Sequence, residues 1–174
     1  MSSPLPALRV IVATPLGELA ATERGGSLVE MHWSEDEPLP PPSALLEDAA
    51  DQIRSYFDGT LREFHLPLDP FGSAFDRRIW KEIAAIPYGG TATYGDIARR
   101  LETSPRAVGG ACARNPIVLV IPCHRVVGTT GKLTGYSGGN GLTTKEALLD
   151  HERSPGRAFE LGAGTRPSQH RRAS

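Results

Sequence analysis

The chain has 174 residues, 39% of them hydrophobic and 22% charged, which gives a packed core for one ordinary domain or two small ones. No apolar run approaches the length of a membrane span, and the opening MSSPLPALRV lacks the basic-then-apolar order of a secretory signal, so neither a membrane protein nor an exported one is expected. The formal net charge of −1 hides a split: residues 1–70 hold 4 Lys/Arg against 12 Asp/Glu, and residues 71–174 hold 15 against 8. The basic second half suits a polyanionic partner, although two solvated faces of opposite sign would read the same way.

Residues 8–14, 17–23 and 28–33 are short apolar or alternating runs separated by Pro15-Leu16-Gly17 and Arg24-Gly25-Gly26, the pattern of a β-meander. The acidic, proline-rich stretch 35–43 reads as a linker or surface loop. From Ala44 to Phe57 the apolar positions fall on one helical face, and Gly59 stops the helix. Residues 61–67 are expected to add a last strand, and Pro67 and Pro70 mark a boundary. The first unit is therefore residues 1–70.

The second unit, residues 71–152, is mostly helical. Ser73 and Asp76 form a capping-box pattern ahead of a helix whose apolar face is Phe75, Ile79, Ile83 and Ile86, with Pro87 ending it. Thr93 and Asp96 repeat the pattern ahead of a helix over 94–101. Ser104 as N-cap and Pro105 at the first position start a third helix over 106–114. These two short helices form a helix-turn-helix pattern. Residues 117–121, IVLVI, read as a buried extended segment. Thr143 to Glu146 starts a last helix carrying Leu148, Leu149 and Glu152. Residues 153–174 read as a disordered basic tail. The fold class is α+β: a small N-terminal β-meander plus helix domain packed on a mostly helical C-terminal domain with a helix-turn-helix.

The third helix is nearly all small: Ala107, Val108, Gly109, Gly110, Ala111, Cys112, Ala113. Each glycine costs roughly 1 kcal/mol against alanine in a helix. Close approach of the backbone to a narrow DNA groove would offset that, and so would tight packing inside the protein. Composition alone leaves the two readings equal.

The only cysteines, Cys112 and Cys123, lie in unlike sequence contexts, with no disulfide framework and no four-ligand zinc pattern. An intracellular, cytoplasmic setting keeps such thiols reduced. Cys123 sits in Ile121-Pro122-Cys123-His124-Arg125-Val126-Val127. A thiol attacks as thiolate, so it needs a base, and a carboxylate to orient that base; His124 and Glu152 are the candidates. Adjacent strand residues point to opposite faces, so Cys123 and His124 cooperate only if the chain turns here or a water bridges them. The plain alternative is a buried thiol beside an exposed histidine.

The stretches IPYGGTATYGDIARRL, RAVGGACARNPIVLVIPCHRVV, GYSGG and KEALLDHE follow one another in a familiar order. This region, Ile86 to Glu152, resembles the O6-alkylguanine-DNA alkyltransferases, also called methylated-DNA–protein-cysteine methyltransferases. TPLGELAATERGGSLVEMHW matches the family's opening more loosely, and the tail is not covered.

The resemblance implies direct repair of double-stranded DNA carrying O6-alkylguanine, bound through the minor groove with the damaged base everted, by a monomer without cofactor; some members carry a structural zinc in the N-terminal part, but residues 1–111 hold no cysteine here, so no metal is expected. It implies Cys123 as alkyl acceptor held as thiolate, His124 as its base through a water, Glu152 as the group orienting His124, and Asn115 as the residue holding the turn. It implies Tyr94, Val126 (through its carbonyl), Tyr136, Ser137 (through its N–H) and Lys145 as substrate-binding. It implies Arg106 as the residue filling the gap in the base stack, with Ala107 and Gly109 facing the groove. If the source is bacterial, the location is the nucleoid. The main rival is a non-catalytic helix-turn-helix protein that binds alkylated bases, and the presence of Cys123 argues against it. Two departures from the family pattern, a short turn before Arg106 and a longer loop after Gly139, bear on the offset of Arg106, the place of Lys145 and the alkyl groups accepted.

Overall fold

The computed structural model describes residues 5–39 and 42–159. Strands β1 (Leu8–Thr14), β2 (Gly17–Arg24) and β3 (Ser27–Trp33) form an antiparallel sheet in the order β1-β2-β3. Gly25 and Gly26 both have positive φ, 62° and 81°, which the tight β2–β3 turn requires and glycine gives without steric cost. Helix α1 (Ala44–Phe57) packs on β1 and β2 through Leu46, Ala49, Ala50 and Ile53. Its N-cap Ser43 accepts from the Leu46 N–H and also bonds Glu23 on the sheet.

Residues 61–67 do not form a strand. Only one bridge exists here, Leu28 with Leu68, through the Leu28 N–H to Pro67 O and the Asp69 N–H to Leu28 O. Pro67 and Pro70 have no N–H to donate, so a regular ladder cannot extend.

Helix α2 (Ala74–Ala84) starts at the Ser73–Asp76 capping box. Its buried face is Asp76, Ile79, Trp80 and Ile83, whereas Phe75 is exposed, contrary to the sequence expectation. The helix rotates Phe75 outward because two anchors fix the other face. Asp76 accepts from Arg114 Nη2 at 2.6 Å, and Trp80 Nε1 donates to Ala111 O at 2.8 Å. Ile79 and Ile83 are fully buried, each stabilising the fold by roughly 1.5–3 kcal/mol.

The short strand β4 (Ala92–Thr93) runs directly into α3 (Tyr94–Arg100), capped by the Thr93–Asp96 box. The turn to α4 (Pro105–Ala113) closes with the Thr103 N–H on Ala98 O at 2.9 Å and Glu102 at φ 52°, a left-handed position usually given to glycine. This is the expected helix-turn-helix, with Ser104 capping α4 and Arg106 in its first turn.

Residues 117–121 are a tight turn and not an extended segment. Leu119 has φ 71°, and the Ile121 N–H bonds Ile117 O. The apolar run is buried because Ile117, Leu119 and Ile121 turn inward while Met31 of β3 pairs with the backbone on either side. A 3₁₀ turn (Cys123–Arg125) follows, then β5 (Val126–Val127), parallel to β4.

Helix α5 (Leu142–Arg153) begins after Gly141 at φ 64°, one residue before the expected start at Thr143. Thr144 Oγ1 accepts from the Asn140 N–H. Beyond α5, residues 154–159 are not disordered: the Phe159 N–H donates to Phe57 O at 2.7 Å, and the Phe159 ring packs on Phe57 and His151. The rest of the expected tail lies outside the described residues. One hydrophobic cluster joins Val12, Leu19, Met31 and Ile53 with Ile79, Ile97, Val108 and Leu148. No helix among the described residues is long and apolar enough to cross a membrane.

Candidate active site

Parallel pairing of β4 with β5 sets Ala92 opposite Val126, which brings the start of α3 beside the Cys-His turn. A cavity of about 710 Å³ opens there. Tyr94, Arg106, Gly109, Cys112, Cys123, Tyr136 and Ser137 are among the residues that line it. Strand alternation does not separate Cys123 from His124, because the 3₁₀ turn bends the chain at that point.

Asn115 holds the turn. Its Nδ2 donates to Ile121 O at 2.8 Å and to Cys123 Sγ at 3.1 Å, while its Oδ1 accepts from the Ile117 N–H. Cys123 is buried. Its neighbour Cys112 and the loss of solvent push the thiol well above its ordinary value, with Asn115 and Lys145 pulling the other way. Burial and Cys112 thus favour the protonated sulfur, so that a base is needed to take its proton before it can attack.

Behind it stands a buried charge network. His124 Nε2 lies 2.7 Å from Glu152 Oε1, and Arg125 grips the same carboxylate with Nε to Oε2 and Nη2 to Oε1, both at 2.9 Å. The Tyr56 hydroxyl donates to Oε1 at 2.7 Å, and the Gly89 N–H donates to Oε2 at 3.2 Å. Burial favours the neutral acid, but the hydrogen bonds from His124 and Arg125 and the charge of Arg125 outweigh it and hold Glu152 ionised. An ionised carboxylate only accepts, so His124 Nε2 carries the hydrogen and Nδ1 keeps its lone pair. Burial lowers the His124 pKa, and Nδ1 has no hydrogen-bond partner among the described residues. A neutral histidine with one free basic nitrogen, next in the chain to the thiol, is an arrangement that can move a proton directly or through a water.

Lys145 is fully buried behind the cavity wall. Its Nζ donates to Val126 O at 2.5 Å and Thr134 O at 3.0 Å, and reaches Tyr94 Oη at 3.5 Å. The longer loop after Gly139 thus leaves Lys145 next to Tyr94. Val126 is buried and its carbonyl already accepts from Lys145, with one lone pair left. Burial raises Tyr94 to about 12, so its hydroxyl stays a donor. The Tyr136 hydroxyl is buried without a partner among the described residues.

On α4, a Cβ at Gly109 would meet only Tyr94 Cε1 at 3.9 Å, and at Gly110 the flexible end of Arg114 at 3.2 Å. Internal packing does not demand these glycines. Arg106 is exposed at the cavity mouth, and Ala107 is partly exposed on the same helix without lining the cavity.

The family model for the DNA-binding domain of 6-O-methylguanine DNA methyltransferase matches residues 74–154. A methylated-DNA–protein-cysteine methyltransferase of Mycobacterium tuberculosis (strain H37Rv) is 42% identical over 152 residues, 82% of this chain and 90% of its own length. The chain belongs to the methylated-DNA–protein-cysteine methyltransferase family. The crystal structure of Mycobacterium tuberculosis OGT in complex with DNA superposes with a TM-score of 0.77 at 41% identity, covering 86% of this chain and 94% of that one. A crystal structure of the O6-methylguanine methyltransferase from the same organism gives 0.75 at 39% identity, covering 85% and 93%.

Within this methyltransferase, sequence reasoning missed three groups that bind Glu152: Tyr56, Arg125 and the Gly89 N–H. Arg125 had a signal, since it adjoins the Cys-His pair, but nothing local says where its side chain goes. Tyr56 had none. Cys112 was placed in a context unlike that of Cys123, and the fold sets both thiols in one cavity.

Proposed function

We propose that the protein repairs DNA by moving an alkyl group from O6 of guanine to Cys123 Sγ, once per molecule. The observation that carries this reading is the buried thiol–histidine–carboxylate network opening into a cavity beside a helix of small residues. The small face of α4, with Ala107 and Gly109, lets backbone press into the minor groove of double-stranded DNA. Arg106 enters the stack where the nucleotide leaves, offsetting part of an eversion cost of a few kcal/mol.

With the base in the cavity, His124 Nδ1 takes the Cys123 proton, directly or through a water. Sγ attacks the alkyl carbon, the S–C bond forms, and the C–O6 bond breaks with its electrons passing to the guanine ring. The ring then gains a proton, matching the one lost by the thiol. The Ser137 N–H steadies the developing anion as a hydrogen-bond donor, Tyr94 and Tyr136 line the pocket, and Lys145, whose protons lie on Val126 O, Thr134 O and Gly135 O, contributes positive charge from behind the wall. Val126 O has its second lone pair for the guanine amino group. Keeping the thiol neutral until then limits attack on other electrophiles. The product thioether has no easy leaving group, so the protein does not turn over.

In this reading residues 1–70 form a bracing domain and residues 71–152 carry binding and chemistry. Free thiols suit a reducing cytoplasm, at the nucleoid if the source is bacterial, with the protein acting as a monomer. No cofactor enters the reaction.

The test is incubation with duplex DNA carrying O6-methylguanine, followed by peptide mass analysis. One methyl group on the peptide holding Cys123, saturating at one per protein and absent in Cys123→Ser, is the expected result. Binding without any mass gain would instead support the non-catalytic alkyl-base binder.

A further inference from the structure

The second thiol has no part in alkyl transfer, yet it lines the same cavity as the first. We propose that Cys112 and Cys123 are a modification site, a pair that a peroxide converts to a reversible disulfide within the pocket. The consequence for repair rests on Cys123 being the alkyl acceptor; the disulfide itself does not.

The two sulfurs come from segments held together by one residue. Cys112 sits in the last turn of α4, and its carbonyl accepts from the Asn115 N–H at 3.2 Å. Cys123 opens the 3₁₀ turn, and its Sγ accepts from Asn115 Nδ2 at 3.1 Å. Both thiols line that cavity, and Cys112 is lowered chiefly by Cys123 and also by the charge of Lys145. Cys112 is partly exposed while Cys123 is buried, so an oxidant entering the cavity reaches Cys112 without unfolding.

The chemistry balances. The Cys112 thiolate attacks a peroxide oxygen: an S–O bond forms, the O–O bond breaks and hydroxide leaves, with sulfur oxidised by two electrons and the peroxide reduced. The Cys123 thiol then displaces the hydroxyl group. The S–S bond forms, the S–O bond breaks, and the thiol proton leaves with the hydroxyl as water. A lone oxidised Cys123 would proceed to the sulfinic acid, which is not reduced by thiols. Pairing with Cys112 holds the acceptor sulfur at a level that a dithiol restores.

The experiment treats the full chain with hydrogen peroxide, blocks free thiols and digests without reductant. Trypsin separates the two cysteines, since Arg106, Arg114 and Arg125 bound the peptides 107–114 and 115–125. The expected result is these peptides joined, two hydrogens lighter, with methyl transfer lost and regained after a dithiol. In Cys112→Ala, peroxide should leave Cys123 as sulfinic or sulfonic acid, with transfer not regained. Unjoined peptides from the oxidised wild-type chain would overturn the proposal even if the variant fails to fold, as would full recovery of Cys112→Ala. Joined peptides in a protein that still accepts methyl groups would leave the disulfide standing and remove Cys123 as acceptor.

Discussion

The Tyr56 hydroxyl at the end of α1 donates to Glu152 Oε1 near the end of α5 at 2.7 Å, across 96 positions of the chain. This bond joins the sheet-and-helix half of the molecule to the group that fixes the His124 tautomer. Burial, followed by Glu152 itself, holds the Tyr56 hydroxyl well above its ordinary pKa, so it remains a donor at every working pH. Tyr56→Phe keeps the ring packing on Phe57, Phe64 and Tyr88 and removes only the donor. A hydrogen bond to a buried charge is worth about 1.5–3 kcal/mol, and that loss is expected in urea unfolding. Methyl transfer should slow without being abolished, because Arg125 still holds the carboxylate.

Glu152→Gln should be far more severe. It removes the acid paired with the buried Arg125, and breaking such a pair costs on the order of 3–5 kcal/mol. An amide can also offer His124 either a donor or an acceptor, so the tautomer is no longer fixed. A fall in the single-turnover rate of roughly 10²- to 10⁴-fold is expected, the range for losing general-base catalysis. A rate within threefold of wild type would remove His124 as the base.

The pH dependence follows from the same pair. The folded His124 pKa lies below the ordinary 6.5, so the unfolded chain binds its proton first and stability falls as pH drops below 6.5 toward the folded value. The folded Glu152 pKa lies far below the ordinary 4.5, so its stabilisation is complete above 4.5 and is lost as pH falls further. Denaturant unfolding should therefore show two successive declines on acidification. The transfer rate should persist below pH 6.5, since His124 stays neutral there. A rate that halves at 6.5 would contradict the buried, neutral histidine.

Gly109→Ala separates stability from DNA binding. The added methyl meets no backbone, and alanine should raise stability by about 0.5–1 kcal/mol. If α4 presses its backbone into the minor groove, duplex affinity measured by fluorescence anisotropy should fall at the same time. Equal affinity would place Gly109 away from the DNA.

Lys145→Met should loosen the cavity wall. The ammonium bridges Val126 O to Thr134 O and Gly135 O, and methionine leaves these carbonyls without their donor. Each buried acceptor so exposed costs about 1–3 kcal/mol. Faster hydrogen exchange around residues 132–137 and slower transfer are expected together.

What the sequence settled by itself was local. The glycine pair between β2 and β3, the boxes at Ser73 and Thr93 and the Ser104-Pro105 start of α4 each depend on residues a few positions apart, whose sterics and hydrogen bonds are nearly independent of the rest of the fold. Where a local pattern met a stronger distant demand, it gave way. The apolar run 117–121 became a turn with Leu119 at positive φ, its start paired with Met31 on both sides of Ile117 and its two ends tied to the Asn115 side chain, and Phe75 turned outward because Asp76 and Trp80 bind α4. Only the tertiary structure could set Tyr56, Gly89, His124 and Arg125 on one carboxylate, or two thiols in one cavity. The reason is physical: a buried charge takes whatever donors packing brings to it, and packing joins residues without regard to their separation along the chain.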